Sequence, residues 1–584
     1  MQPVDFTTLT AACSEIRANW LPARTEQVYQ RDRYTISLGL RTLNKRGWLE
    51  ISWHPQAARL YISNPPPRTP DTFTFSQQLV HQLGGLAVVS CDLLAPWERV
   101  VDLQFARRPG EAALWHLYVE IMGKYSNVIL TDAANLIVTA AHQVSQKQSS
   151  VRPIQTGQPY EPPPALTGVL PSLNEFQERW QERVSLVPEA LRRCLLKSYR
   201  GLSPALVQSM VNASKLDPDQ STDTLEVSDW QQLFRRWQEW LQALQNEEFQ
   251  PSWTLEGYTV IGWGGVKSAQ TVQDLLNCYY TAQLNQQEFQ TLRHQLSQKL
   301  NSLLEKLRLK ARTFEKRLQQ SDQADDYRQQ ADLLMAHLQD WQPGIKSIAL
   351  PDFEGSKLVT IPLEPEKNAV QNAQSLYKRH QKLKRARNAV EPLFLEVKAE
   401  IEYLEQVEEA IAQIESYQTA DDLEALQEIR EELIGQRYLE DPEYGRRGSA
   451  EVPSTNFHRY RTPNGFEVLI GRNNRQNDQL TFRLAGDYDL WFHAQEIPGS
   501  HLLLRLEPGS VPDEADLQFA ANLSAYYSRS RQSYQVPIVY TEPKYVYKPK
   551  GAKPGIALYK QQRILWGQPW RANEYFTQLD QQSP

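Results

Sequence analysis

Cysteine is scarce in this chain of 584 residues: Cys13, Cys91, Cys194 and Cys278 are the only four, and no two form a CxxC. That spacing speaks against a zinc site and a disulfide framework, and it fits a reducing compartment. Long apolar runs are missing as well. Nothing approaches the ~18 apolar residues of a membrane helix, and residues 1–20 carry no basic stretch followed by an apolar core, as a secretory signal would. The expectation is a cytoplasmic protein with no membrane partner. Nor is there an excess of one charge sign: 63 Lys and Arg stand against 69 Asp and Glu, a net charge of −6. Any RNA contact must therefore come from local patches. The chain also lacks GxxxxGK[ST], GxGxxG and HExxH, which removes P-loop, dinucleotide-binding and zincin chemistry. No cofactor, no metal site and no conventional enzyme are expected.

What is present divides the chain. A hydrophobic fraction of 41% and a charged fraction of 23% are ordinary for folded domains. At about 150 residues per domain, roughly three to five are expected. Residues 1–165 mix a helix over 5–19 with strand-like segments at 28–41 and 48–53. Trp115, Leu117, Val119 and Ile121 alternate with His116, Tyr118, Glu120 and Met122, which puts Glu120 on the polar face of a strand. The proline-rich run at 159–164 closes the unit as a stiff linker. Residues 166–250 read as helical, with Trp180, Leu186, Leu195 and Leu233 as anchors. Within 197–204, Gly201 stops one helix and Ser203-Pro204 starts the next. This is either a helix-hairpin-helix, whose turn amides cradle a phosphate, or a plain helical hairpin. Residues 251–282 return to strand chemistry, so the helices between read as an insertion in a mixed N-terminal domain.

Residues 283–436 read as an antiparallel coiled coil with a small head. Phe289, Leu292, Leu296, Leu300, Leu303, Leu307, Ala311, Phe314 and Leu318 repeat every eleven residues, which favours a nearly straight seam. Residues 345–363 are strand-like and form the head. A second long helix starts near Asn368, with a seam of Phe394, Val397, Ile401, Leu404, Ile411 and Ile414. Residues 437–455 read as a linker, 456–570 as a compact α/β domain with a helix over 515–530 and strands at 465–471, 536–547 and 556–560, and 571–584 as a tail.

Four stretches carry chemistry. EIMGKYSN at 120–127 places Lys124, Ser126 and Asn127 after a turn at Gly123, where they could meet phosphate, ribose or base edges; the competing reading is a hairpin whose Ser and Asn satisfy their own backbone. Glu98-Arg99 is either a polar recognition pair or a surface ion pair. Residues 378–387 hold six cations and no acid, including Lys378, Arg379, Lys382, Lys384 and Arg385, a phosphate-backbone footprint or a solvated helical face. Asp489, His493, Ser500 and His501 cluster in sequence but match neither a nucleophile set nor a standard ligand spacing. Beyond them, KYVYKPKGAKPG at 544–555 interleaves Lys544, Lys548, Lys550 and Lys553 with aromatics, the chemistry of single-stranded or looped RNA recognition, or a solvated basic loop.

These residues resemble the NFACT family in its bacterial RqcH-type branch. The resemblance rests on EIMGKYSN at 120–127, NAVQNAQ at 368–374, GRNNRQND at 471–478, Trp491-Phe492-His493, IPGSH at 497–501 and the run 544–555. It implies an α+β multidomain fold: an NFACT-N domain similar to formamidopyrimidine-DNA glycosylases, a helix-hairpin-helix, an antiparallel coiled-coil arm and a C-terminal NFACT-R domain. It implies binding to obstructed large ribosomal subunits, through rRNA and proteins, that still carry peptidyl-tRNA. It further implies recruitment of charged tRNA, alanyl in bacteria, for untemplated tailing of the stalled chain. Asp5, Glu98, Arg99, Glu120, Met122, Gly123, Lys124, Ser126 and Asn127 are then expected to bind tRNA. Arg472, Asn473, His493, Ser500, His501 and the lysines of 544–553 are expected to bind RNA with the arm cations. The chain departs from the family's Asp-Arg pair at Glu98, which keeps the charge and adds one methylene. Glycosylase chemistry is not expected, because Pro3 is internal and is followed by Val4. The family's older fibronectin-binding label gives the alternative, an adhesin or interaction protein, which requires export.

Overall fold

A computed structural model describes residues 1–66, 71–149, 152–164, 168–353, 357–440 and 456–582. Most of the expected linker, 441–455, and the end of the tail lie outside the described residues. The chain forms two compact units, Met1–Leu284 and Asn285–Pro584.

In the first unit, Asp5 caps helix α1 (Phe6–Trp20) by accepting the Thr8 amide at 2.8 Å. A nine-stranded sheet follows: β1 (Ala23–Asp32), β2 (Thr35–Arg41), β3 (Arg46–Ser52), β4 (Arg59–Ser63), β5 (Ala87–Leu93), β6 (Val100–Ala106), β7 (Trp115–Glu120), β8 (Asn127–Asp132) and β9 (Ile137–Ala140), with α2 (Thr74–Leu83) between β4 and β5. The order is β4-β3-β2-β1-β5-β6-β7-β8-β9, with each neighbouring pair antiparallel. The strand-like run 28–41 is thus a hairpin. Asp32 folds it by accepting the Tyr34 amide at 2.7 Å, an Asx turn that β-propensity alone does not reveal. Glu120 does not face solvent: it is 1% exposed, because residues 152–160 cover that side of β7.

Helices α3 (Gln177–Val184), α4 (Leu191–Ser198), α5 (Pro204–Ala213) and α6 (Val227–Asn246) pack around Trp180, Trp237 and Trp240. Leu186 is not an anchor. It lies beyond the end of α3 and is 81% exposed. Between α4 and α5, Gly201 adopts φ +83°, and a Cβ there would sit 2.5 Å from the Trp97 ring, so both backbone and packing call for glycine. Ser203 then caps α5, with Pro204 at its first position. The short strands β10 (Ser252–Trp253), β11 (Tyr258–Thr259) and β12 (Lys267–Ser268) follow. Tyr258, Val260, Leu275 and Tyr280 rejoin the core of α1 and the large sheet.

In the second unit, α7 (Val272–Asp322, begun in the first) and α8 (Ala324–Ala336) run out to a hairpin of β13 (Ser347–Pro351) and β14 (Leu358–Pro362). The 51 residues of α7 extend roughly 75 Å. Helix α9 (Ala369–Gln413) returns from an Asn368 capping box. It is antiparallel to α7: Arg293 bonds the Ile414 carbonyl, Arg308 meets Glu405 and Arg387 meets Asp322. The seam is buried at Phe289, Leu296 and Leu300 but only partly covered at Ala311, Phe314 and Leu318. A third helix explains the gradient. α10 (Ala420–Gly435) adds Leu423, Leu426, Ile429 and Leu433 to a three-helix base with Leu404 and Val407, whereas the outer arm has two helices.

A six-stranded antiparallel sheet follows: β15 (His458–Arg461), β16 (Glu467–Ile470), β17 (Leu490–Ala494), β18 (Leu502–Leu504), β19 (Val536–Thr541) and β22 (Arg563–Gly567), in the order β15-β16-β18-β17-β19-β22. Helix α11 (Asn474–Gln479) follows β16, and β20 (Val546–Tyr547) pairs with β21 (Leu558–Tyr559). α12 (Glu514–Tyr526) and α13 (Pro569–Gln582) bury one face through Phe519 and Ala572. The helix expected over 515–530 stops at Tyr526, where the Ser500 amide takes the Tyr527 carbonyl at 2.9 Å. The strand expected over 536–547 breaks at Pro543, which cannot donate to a ladder.

Leu404 is fully buried in the three-helix base. Leu404→Ala is expected to cost about 2–5 kcal/mol, whereas Leu395→Ala, at a side chain 62% exposed, should change stability by less than about 0.5 kcal/mol. Urea midpoints followed by helical circular dichroism check this; equal midpoints for the two variants would mean that the base is not packed as described.

Candidate nucleic-acid interface

Val100, the first residue of β6, pairs with Glu120, the last of β7, so the turns flanking them share one end of the large sheet. Trp97 lies there at φ +65°, its ring 4.8 Å from Phe6 and 5.5 Å from Trp240. Glu98 does not pair with Arg99; it meets Arg200 at 3.5 Å. Asp5 accepts the Ser203 hydroxyl as well as the Thr8 amide. The two carboxylates therefore hold the α4–α5 turn against the sheet unit. Arg99 is half-buried beside them and has no carboxylate partner among the described residues. The sequence signalled Asp5, Glu98 and Arg99 but not Arg200, whose role depends on a fold contact about a hundred residues away.

Glu120 accepts Arg152 Nη1 at 3.0 Å and the Tyr160 hydroxyl at 2.9 Å. Tyr160 stacks on Tyr118 at 3.9 Å. Ser126 accepts the Met122 amide, and Asn127 bonds both the amide and the carbonyl of His142. These side chains satisfy local backbone, as the hairpin reading holds. Gly123 supplies φ +59°, and Lys124 and Tyr125 carry the exposed side chains of the run, the ammonium 4.9 Å from the ring centroid.

On α9, Lys378, Arg379, Lys382, Lys384 and Arg385 are all exposed and make no ion pair among the described residues. Arg379 lies over Tyr327 at 4.8 Å. His380 turns inward to the Ala324 carbonyl at 2.9 Å, and Arg387 is occupied by Asp322 at 2.6 Å. These five cations, with Lys124 and Arg99, are the available positive charges of the expected sites outside the C-terminal domain.

The GRNNRQND run does not present its polar groups to solvent. Arg472 pairs with Asp422 at 3.0 Å, and Arg475 pairs with Glu431 at 3.0 Å. Asn473 and Gln476 donate to Glu428 at 2.6 and 2.9 Å. Asn474 donates to Glu432 at 3.1 Å, and so does the Tyr403 hydroxyl at 2.7 Å. Arg472 and Asn473 thus dock the C-terminal sheet on the acidic face of α10. Burial raises the Glu432 carboxyl above its usual range against the opposing pull of the Tyr403 and Asn474 bonds.

His501 is also inside, and His493 beside it is half-buried. His501 bonds Thr481 at 2.7 Å and packs against Trp491 and His493. Burial pushes His493 down to about 4 and His501 well below its usual value, so both are neutral at physiological pH. Ser500 donates to Gln413 at 3.2 Å. Asp489 meets neither histidine: it accepts the Gly486 and Leu506 amides and pairs with Arg505. Of the basic loop, Lys548 pairs with Asp478, and Lys553 lies 4.6 Å from both the Tyr403 and Tyr438 rings. Desolvation lowers the Lys553 pKa. Lys544 pairs with the adjacent Glu542, and Lys550 is exposed and without a partner among the described residues. The loop thus offers one free lysine rather than four. Among the described residues no group of His, Cys, Asp and Glu is arranged to hold a metal, and no helix is long and apolar enough to cross a membrane.

These features define a multidomain protein in which a C-terminal sheet domain is docked at the base of a helical arm. The model of the NFACT N-terminal and middle domains matches residues 5–451, and that of the NFACT protein RNA binding domain matches residues 456–560. The chain belongs to the NFACT family. It is similar to "Rqc2 homolog RqcH" of Bacillus subtilis (strain 168), 28% identical over 569 residues, covering 95% of this chain and 96% of the relative. It is similar to the protein of the same name from Streptococcus suis (strain 05ZYH33), 29% identical over 565 residues, covering 94% and 95%. A solved structure of the C-terminal part of the fibronectin/fibrinogen-binding protein from Streptococcus suis matches 48% of this chain and 95% of its own, at 32% identity and a TM-score of 0.37.

Replacing Lys378, Lys382, Lys384 and Arg385 with alanine is expected to shallow the slope of log K for RNA against log salt by about 3, since each phosphate contact contributes roughly 0.7–0.9. An unchanged slope would show that these cations touch no phosphate. Glu432 gives a pH prediction. A carboxyl with a raised folded pKa holds its proton longer in the folded state, so its contribution to stability is complete below the ordinary value near 4.5 and is lost as pH rises through the raised one. Glu432→Gln keeps an oxygen for Tyr403 and Asn474, so the variant should match wild type at acid pH and be the more stable near neutrality. Thermal midpoints across pH 4–8 that run parallel for both proteins would rule this out.

Proposed function

We propose that this protein is a cytoplasmic, ribosome-associated quality-control factor that works by binding RNA. The observation that carries the reading is its collinear match, over 95% of the chain, to a protein named RqcH. The geometry adds a reason. A long arm with five unpaired cations buries little of its own surface and reaches far, which suits a factor bridging distant sites on a large RNA surface.

In the finer reading, the protein binds obstructed large subunits carrying peptidyl-tRNA and recruits a charged tRNA, alanyl by family resemblance, for untemplated tailing. Peptide-bond formation is left to the ribosome, and the chain itself is not an enzyme. The N-terminal unit is read as glycosylase-like, with α4–α5 as its helix-hairpin-helix. Arg99 is the natural tRNA contact of that unit: Asp5 and Glu98 are occupied by Ser203 and Arg200, which leaves the guanidinium as the available charge.

Affinity purification at moderate salt followed by sequencing of bound RNA is expected to recover large-subunit rRNA with one enriched tRNA. Arg99→Ala should remove the tRNA and the tails while leaving rRNA recovery largely intact. Equal loss of both would make Arg99 structural, and recovery of no RNA from the unaltered protein would sink the reading.

A further inference from the structure

Apart from the basic loop and the docked motif, the C-terminal sheet carries a second aromatic feature. After α12 the chain turns through residues 527–535, and α13 begins at Pro569. Between them lies a cavity of about 590 Å³, lined by Tyr526, Arg531, Gln532, Tyr534, Trp570 and Asn573, with Glu415 at its edge. Tyr534 is 74% exposed and Trp570 40% exposed. Two large rings left this open on a folded domain do not serve its core.

Their geometry is specific. The rings are nearly parallel, 22° apart, with centroids separated by 6.5 Å. A planar group between two rings needs two successive carbon contacts, about 7–8 Å in all. The pair therefore stands slightly closer than a filled slot, so occupancy requires the rings to part by roughly 1 Å. The charge also fits. Arg531 is neutralised by Glu415 at 2.5 Å, but Arg571 is exposed, lies over Trp570 at 5.3 Å and has no carboxylate partner among the described residues. An uncompensated guanidinium beside paired rings suits a phosphate next to a stacked base. Gln532 and Ser533 place an amide and a hydroxyl at the rim, where base edges present donors and acceptors. An apolar peptide would need neither the free guanidinium nor the polar rim.

We infer that the Tyr534–Trp570 slot binds one unpaired nucleobase of single-stranded RNA, with Arg571 on the adjoining phosphate. This rests on the RNA-binding reading above and adds a contact point to it. Trp570 and Arg571 lie beyond residue 560, where the match to the RNA-binding domain ends.

The test uses the full chain and a fluorescein-labelled 12-nucleotide RNA of mixed sequence, with a 12-base-pair RNA duplex as control. Loss of base stacking corresponds to about a 5- to 150-fold loss of affinity. Tyr534→Ala with Trp570→Ala is expected to weaken single-strand binding within that range and to leave duplex binding within about 3-fold. Tyr534→Phe with Trp570→Phe keeps both rings and should retain most of the affinity, which separates stacking from misfolding. Photocrosslinking of 4-thiouridine RNA should label Tyr534 or Trp570. Unchanged single-strand affinity in the alanine variant, crosslinks only elsewhere, or an equal loss in the phenylalanine variant would overturn the slot. Failure of the unaltered protein to recover rRNA or tRNA from cells would instead strike the ribosomal reading, because binding to the oligonucleotide is measured without a ribosome.

Discussion

Residues 472–476 commit their guanidinium and amide groups to the carboxylates of α10. An isolated surface ion pair contributes little to stability, but these contacts differ in burial and in number. Asn473, Asn474, Gln476, Glu428 and Glu432 are all buried. Removing one partner would leave a buried acceptor or donor unmet, at a cost of about 1–3 kcal/mol. Glu432 shows the constraint most sharply. It is 3% exposed and faces no direct cation, only the Tyr403 hydroxyl and the Asn474 amide. Burial therefore drives it toward its neutral form. The network ties α9, α10 and the sheet domain together, and the Lys553 ammonium over Tyr403 and Tyr438 lies on the same patch.

This docking alters the electrostatic account of the chain. With a net charge of −6, RNA binding depends on which cations are left unpaired. The basic loop and the GRNNRQND run look in sequence like the strongest patches, yet most of their charge is consumed internally by Asp478, Asp422 and Glu431. The helix of the arm, by contrast, has no acid within 378–387 and leaves five cations in solvent. Phosphate affinity is set by uncompensated charge and its counterions, so of these runs the arm offers the most free charge and the C-terminal domain less.

The mixed fold was legible where one period or one cap decides the outcome. Asp5, Ser203-Pro204 and Asn368 all mark helix starts, and the seams of α7 and α9 were visible because their apolar residues recur at helical spacing, although only the part near the three-helix base is fully buried. The strands of the C-terminal sheet were harder to see. Leu490–Ala494 holds a tryptophan, a phenylalanine and a histidine, and these residue types read as chemistry as readily as they read as a half-buried strand. The candidate sites were legible only by residue type. Ser126 and Asn127 were recognised as polar groups at a turn, but their bonds to Met122 and His142 depend on tertiary register. The acid run of α10 was itself in plain view; without its distance to residues 472–476, nothing in it distinguished a docking face from a solvated one.

The same reasoning bears on Glu98. Carrying a family acid at this position into a recognition role assumes that the carboxylate faces the ligand. Here it faces Arg200, and Asp5 faces Ser203, so both acids act on the α4–α5 turn that Gly201 allows to pass under Trp97. One extra methylene then matters through geometry: it moves the carboxylate outward along a fixed backbone, and the 3.5 Å approach to Arg200 is the contact that would change if the side chain were shorter. A carboxylate that positions a turn in this way acts on the fold of this corner rather than on a ligand, and its removal would be felt first in how α4 and α5 seat against the sheet.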